Sequence, residues 1–360
     1  MYRTRDMGEA LHPEPSAFVG LGYGADERVQ LVNVTLRREG LLWASHGGWV
    51  DLRRQSKEQS MSVAILIGVH DGVVLAADSA STLSMPAPPG VALPRGIPGV
   101  VGNVYDNANK IFNIVKGLPI GCITFGSGNI GNASIGTLIK DLRKKLTDTP
   151  KEMDFDSASY SMEGVATILA KFLETECGNL DPLAKERTTV GFLLGGYSKP
   201  GDLGESWSVD IAQGVVQTPK QLRKPELPGI NWGGQTESIQ RMLLGFSPNI
   251  FEILAQITQP SQDPAEMAKN LTPLLASRLQ APMVFAPMPI QDAIDLARFF
   301  VHTAIMFSRF LPGPNTVGGP IEIAAITKHE SFKWISRKHY YDQPLNKEPL
   351  HVVLDKQYED

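Results

Sequence analysis

The sequence predicts an α+β fold in which antiparallel sheets pack face to face and helices lie outside them. Three observations carry this expectation. Residues 63–69 and 73–77 are two apolar runs of strand length, VAILIGV and VVLAA, joined by the tight reversal His70-Asp71-Gly72. Runs without polar alternation belong to strands buried on both faces. Further on, strand-like and helical stretches come in blocks rather than in a βαβ alternation, which argues for segregated sheets and helices. The third observation is a helical period, with Met162, Val165, Ala166, Leu169, Phe172 and Leu173 on one face.

Residues 1–61 show no such period, because Pro13, Pro15 and the GLGYG run interrupt it. They read as an arm, as a propeptide, or as a segment upstream of the true start. Lys57-Glu58 can be encoded AAGGAG, a ribosome-binding sequence, two codons before Met61. A start at Met61 would give Met-Ser, whose small second residue permits removal of the methionine. After the first hairpin, residues 85–102 are rich in Pro and Gly and read as a loop. Strands are expected at 107–115 and 120–125 around Gly117-Leu118-Pro119, then a helix over 133–146. Ser157 is the expected cap of the helix that carries Met162. Residues 188–194 and 206–211 form a second hairpin, and Gly233-Gly234 opens a helix over 235–244. Two apolar segments flank the SQDP turn within 247–284, and 292–310 is a long amphipathic helix. Strands at 321–326 and 331–335 close the fold before a polar, Pro-broken tail.

Composition narrows the function. A chain of 360 residues, 42% hydrophobic, has enough apolar material for a large core. A net charge of −4 with scattered signs argues against a nucleic-acid partner. No apolar run approaches the ~18 residues that span a bilayer, so no membrane partner and a cytoplasmic location are expected. Cys122 and Cys177 make neither a disulfide framework nor a metal site, and the seven histidines form no HExxH pair. Neither a metal nor a cofactor is expected.

The wording of residues 72–79, GVVLAADS, resembles the opening hairpin of the proteasome β subunits and their bacterial relatives. These are N-terminal nucleophile (Ntn) hydrolases. In that family the mature chain starts at a Thr, Ser or Cys sixteen residues before the hairpin's Asp, and sixteen residues before Asp78 stands Ser62, directly after Met61. The TVGGPIE wording at 316–322 is closest to the bacterial Anbu-like branch. The resemblance covers about 62–245 and 289–336. It implies a four-layer αββα sandwich over 62–336, a helical insertion at 246–288 and a tail at 337–360. It also implies a peptide or protein substrate and a homo-oligomer arranged as a ring or helix. No ATPase partner can be read.

An N-terminal nucleophile supplies its own base, since an α-amine titrates near ~8. That suits a sequence without a histidine triad. The resemblance gives Lys110, in NKIFNI, and Asp78 the electrostatic support of Ser62, and gives Gly126 the backbone N–H that receives the oxyanion. Ser81, Thr82, Ala108, Thr124 and Gly128 match positions that line the family's first specificity pocket. GSGNIG, at 126–131, also fits the dinucleotide fingerprint GxGxxG, but helices rather than a parallel strand follow it. Two family positions depart: Gly233-Gly234 stands where a Ser-Gly pair is usual, and no acid lies between Phe307 and Val317. Asn315 is the substitute the sequence offers. Alternatives to peptide hydrolysis are a non-catalytic ring or scaffold subunit and a small-molecule amidase of the same fold.

Overall fold

Thirteen consecutive-strand residues around the first reversal are buried without exception, which is the behaviour of a hairpin enclosed on both faces. The computed structural model describes residues 62–85, 100–199, 201–258 and 263–340. The expectations for residues 1–61 and for most of the tail fall outside them. The hairpin is β1 (Val63–Val69) and β2 (Gly72–Ala77), every residue buried. Next come β3 (Ser81–Met85), β4 (Val100–Tyr105), β5 (Ile111–Asn113), β6 (Ile120–Gly126), β7 (Asn129–Ile130) and β8 (Ala133–Ser134). Helices α1 (Ile135–Asp148), α2 (Met162–Gly178) and α3 (Pro182–Arg187) follow. The chain returns to strand in β9 (Val190–Gly196), β10 (Glu205–Ala212), β11 (Val215–Val216), β12 (Lys220–Gln221) and β13 (Gly229–Gly234). It ends with α4 (Glu237–Leu244), α5 (Ile250–Thr258), α6 (Pro264–Leu279), α7 (Ile290–Phe310), β14 (Glu322–Thr327) and β15 (Ser331–Ser336). The fold is α+β with antiparallel sheets.

One sheet has the order β13-β1-β2-β14-β15, so the first hairpin is central and is paired along both edges. The other has the order β11-β10-β9-β6-β5. Burial explains the unbroken apolar wording. Ala64, Leu66, Val73 and Leu75 share a core with Ile111, Ile123 and Leu193 of the second sheet. Val63, Ile65, Ile67 and Val74 point the other way, into a core with Ile239, Leu243, Ala297 and Phe300 of α4 and α7. On the outer face of the second sheet, Phe192, Leu194 and Val209 pack with Leu138, Leu142, Leu169 and Leu173 of α1 and α2.

Three local expectations are corrected. Ser161, not Ser157, caps α2, its hydroxyl accepting from Gly164 N at 3.0 Å. Both serines precede the apolar period, and only the nearer one reaches the first turn. The expected loop over 85–102 is narrowed at both ends, where Met85 closes β3 and 100–102 open β4. The two strands pair from Ser81↔Tyr105 to Met85↔Val100, and residues 86–99 lie outside the described residues. The helix expected after Gly233-Gly234 is present as α4, but the two glycines close a strand that the sequence does not announce, β13, because glycine masks the strand period. The expected insertion at 246–288 carries α5 and α6, with Phe246, Phe251, Ala255, Met267 and Ala268 in a small core shared with Leu244 of α4.

The glycine at 233 has a packing cause. A Cβ there would lie 2.2 Å from the Phe125 ring, and a Cβ at Gly191 would also lie 2.2 Å from it. The ring fills the inter-sheet space that both side chains would need. Gly233→Ser, which restores the usual serine of the resembled family, therefore overpacks this end of the core. We expect a loss of about 1–3 kcal/mol, read as a lower Tm, with part of it recovered when Phe125→Leu is added. An unchanged Tm for Gly233→Ser alone would contradict this account of the glycine.

Candidate active site

Antiparallel register brings the site together from three separate stretches. Ser62 immediately precedes β1, and its carbonyl accepts from Gln235 N at 2.6 Å. Gly234 passes so close, at φ +92, that a Cβ on it would lie 1.8 Å from Ser62 O. Only glycine fits there. Because Ala64 pairs with Ala77, the residue after β2, Asp78, comes opposite Val63. Asp78 Oδ1 accepts from Val63 N at 3.0 Å, and Oδ2 accepts from Ala80 N and Gly318 N, both at 3.1 Å. The carboxylate is fully buried and held by three backbone donors before any side chain is counted.

Lys110 arrives from the other sheet. It precedes β5, where its carbonyl accepts from Thr124 N at 2.9 Å. Its Nζ donates to Asp78 Oδ1 at 2.5 Å and to Ser62 Oγ at 2.9 Å. Ser62 is 3%, Asp78 0% and Lys110 5% exposed, so the three form one buried unit. Burial pushes the Lys110 pKa down from its ordinary value, while the charge and hydrogen bond of Asp78 oppose that fall. None of the hydrogen-bond partners of these three side chains among the described residues is a histidine.

Gly126 ends β6 at φ +97, and a Cβ on it would lie 2.5 Å from Thr189 O. Ser127 N donates to Thr189 O and Thr124 N donates to Lys110 O. By the alternation of an antiparallel ladder, the Gly126 N–H lies on the Lys110 side, beyond the first residue of β5. The residues matched to a specificity pocket are placed as follows. Ser81 Oγ lies 3.0 Å from a Cβ built on Gly128, and Ala108 N donates to Ser79 O at 2.9 Å. Thr82 is half-buried. Thr124 is buried, and its hydroxyl donates to Gly191 O at 3.2 Å.

Sequence reasoning missed a second layer. Lys338 Nζ lies 2.8 Å from Glu322 Oε2 and donates to Ser79 Oγ at 2.8 Å, and Ser79 Oγ donates to Pro320 O at 2.5 Å. Ser79 N also donates to Gly318 O at 2.8 Å, so this cluster fixes the turn that aims Asp78. Glu322 is 1% exposed. An acid at the head of the apolar strand EIAAIT was the available signal. Asn315 does not fill the missing acidic position: it is exposed. The polar link beside Ser62 is instead Thr316 Oγ1 to Gln235 Oε1, at 3.2 Å.

No family model matches the chain, and no curated protein does. Among solved structures it is similar to Anbu (ancestral beta-subunit) from Yersinia bercovieri, at 13% identity and a TM-score of 0.42. That likeness covers 77% of this chain and 88% of the other. At that score it adds nothing to the assignment of individual residues. No described helix is long and apolar enough to cross a membrane.

Proposed function

We propose that the protein is an amide hydrolase whose nucleophile is Ser62, freed as an N-terminus, on a four-layer αββα sandwich. One observation carries the reading: a buried ammonium, Lys110 Nζ, bridges Ser62 Oγ at 2.9 Å and Asp78 Oδ1 at 2.5 Å. Burying such an ion pair costs several kcal/mol of desolvation, so a fold gains little stability by building one around a serine. As an activating group it has a clear use.

The freed α-amine of Ser62 takes the hydroxyl proton, directly or through a water. Oγ bonds to the substrate carbonyl carbon, and the resulting oxyanion is received by the Gly126 N–H. The protonated amine gives its proton to the leaving nitrogen as the C–N bond breaks, leaving an ester on Ser62. Water, deprotonated by the same amine, attacks the ester and restores the hydroxyl. Lys110 favours the anionic form of Oγ throughout, and Asp78 keeps the ammonium charged against its burial. Peptide is the proposed substrate class, with Ser81, Thr82, Ala108, Thr124 and Gly128 around its side chain. A small-molecule amide is the alternative within the same chemistry.

The scaffold reading is favoured by one feature, the Phe125 ring in the space of the usual serine. Labelling decides between them: a β-lactone or epoxyketone should acylate Ser62, and Ser62→Ala should abolish the adduct. No adduct on a chain that begins at Ser62 would favour the scaffold. A homo-oligomer is part of the proposal, because Ile253, Leu274, Leu279 and Phe285 leave apolar surface exposed around the insertion. Light scattering should give a multiple of the chain mass, and a monomer at every concentration would count against it.

The lowered Lys110 pKa sets an alkaline limit. The ammonium is the active form, so acylation should fall as pH rises through a value below 10.5. Stability moves the other way. A folded-state pKa below the unfolded one means that the unfolded chain binds more protons between the two, so this group's contribution to stability rises with pH there. Loss of labelling in that window without a fall in Tm caused by Lys110 is the expected pattern. Labelling that keeps rising to pH 10.5 would remove Lys110 from the activation.

A further inference from the structure

At the far end of β1 from Ser62, roughly 20 Å along the strand, a second buried cation has no counter-charge among the described residues. Arg223 is 8% exposed. Its Nη1 donates to Gly229 O at 3.1 Å and Asn231 Oδ1 at 3.0 Å, both neutral acceptors. Its Nε is buried without any hydrogen-bond partner, and Arg223 makes no ion pair with a described acid. Burial alone brings its pKa down to about 10. The guanidinium occupies space opened by glycine: a Cβ on Gly68 would lie 1.6 Å from Nη2, and Gly68 pairs with Gly229 across β1 and β13. Beside it lies a cavity of about 10 Å³, walled by Arg223 with Val69, Pro225, Glu226, Leu227 and Pro228 among others.

We propose that this cavity is a binding site for one monatomic anion, chloride being the probe of choice, held by the Arg223 guanidinium. The size is that of about one water-sized sphere, which excludes phosphate, sulfate or a carboxylate ligand. A water there would leave the buried guanidinium without a counter-charge, whereas an anion supplies one. Glu226 is the acid on the wall, and it is not paired with Arg223. The site is separate from the proposed reaction and stands or falls without it.

The test is thermal melting of the full chain in sodium chloride against sodium gluconate, whose anion is too large for the cavity, at constant ionic strength. Tm should rise by about 3 °C for each tenfold increase in chloride above the dissociation constant. Glu226→Gln should strengthen the response by removing a nearby negative charge, and Arg223→Met should remove it. Because Arg223→Met may alter folding, wild-type crystals soaked in bromide provide the second reading. One anomalous peak within hydrogen-bond distance of the Arg223 guanidinium is expected. A chloride-independent Tm with no anomalous peak would overturn the proposal, and a fall in Tm for Glu226→Gln alone would identify Glu226 as the counter-charge instead.

Discussion

Lys110→Ala should abolish acylation of Ser62 by a β-lactone, by at least about a hundredfold, and should also be the most destabilising change at the site. Both effects come from one atom. Lys110 Nζ is the cation shared by Ser62 Oγ and Asp78 Oδ1, and its removal leaves a fully buried carboxylate without a counter-charge. Breaking such a pair from one side costs about 3–5 kcal/mol. Asp78 would retain Val63 N, Ala80 N and Gly318 N, which limits the loss but does not neutralise the charge. The double variant Lys110→Met with Asp78→Asn separates the two consequences. It should recover most of the stability and none of the labelling. Recovery of both would mean that the ion pair only packs the site.

Gly126→Ala should lower acylation about 10²–10³-fold while leaving Ser62, Asp78 and Lys110 in place. At φ +97 a side chain strains the backbone by about 1–3 kcal/mol, and the added Cβ would sit 2.5 Å from Thr189 O. The end of β6 must move, and the N–H proposed to receive the oxyanion moves with it. Gly178→Ala, at the end of α2 and away from the site, is the control. A Cβ on it meets nothing within 4 Å. Equal labelling by both variants would show that the oxyanion is received elsewhere. Acylation rate and Tm, measured together, distinguish a lost donor from a loosened fold.

The first hairpin was legible because its physics is local and redundant. Two unbroken apolar runs around His70-Asp71-Gly72 require burial on both faces, and any fold that meets this need makes them central strands. Helices α2 and α7 were legible for the same reason, through their period. What was not legible depends on partners distant in the chain. The strand that ends in Gly233-Gly234 was hidden because glycine carries no strand signal, and the cause of Gly233 is Phe125, more than a hundred residues earlier. Ser81–Met85 and Val100–Tyr105 pair although a Pro-rich sequence separates them, and that separation hid the pairing. At the site, Ser62, Asp78 and Lys110 were named from a counted spacing and a matching phrase. The cluster of Ser79, Glu322 and Lys338 behind them was missed, because nothing near Lys338 in sequence marks it as buried. Asn315 was the natural substitute by type and by position, yet it is exposed, and Thr316 reaches inward instead.

The central claim, that a freed Ser62 is the nucleophile, is tested most directly by intact mass and N-terminal sequencing of the native-gene product before and after β-lactone treatment. The account predicts a chain that begins at Ser62 and gains the mass of one inhibitor, with the adduct mapped to Ser62 Oγ and absent from Ser62→Ala. A chain that retains residues 1–61 and is still acylated at Ser62 would contradict it, because the base would then be Lys110 and not the α-amine.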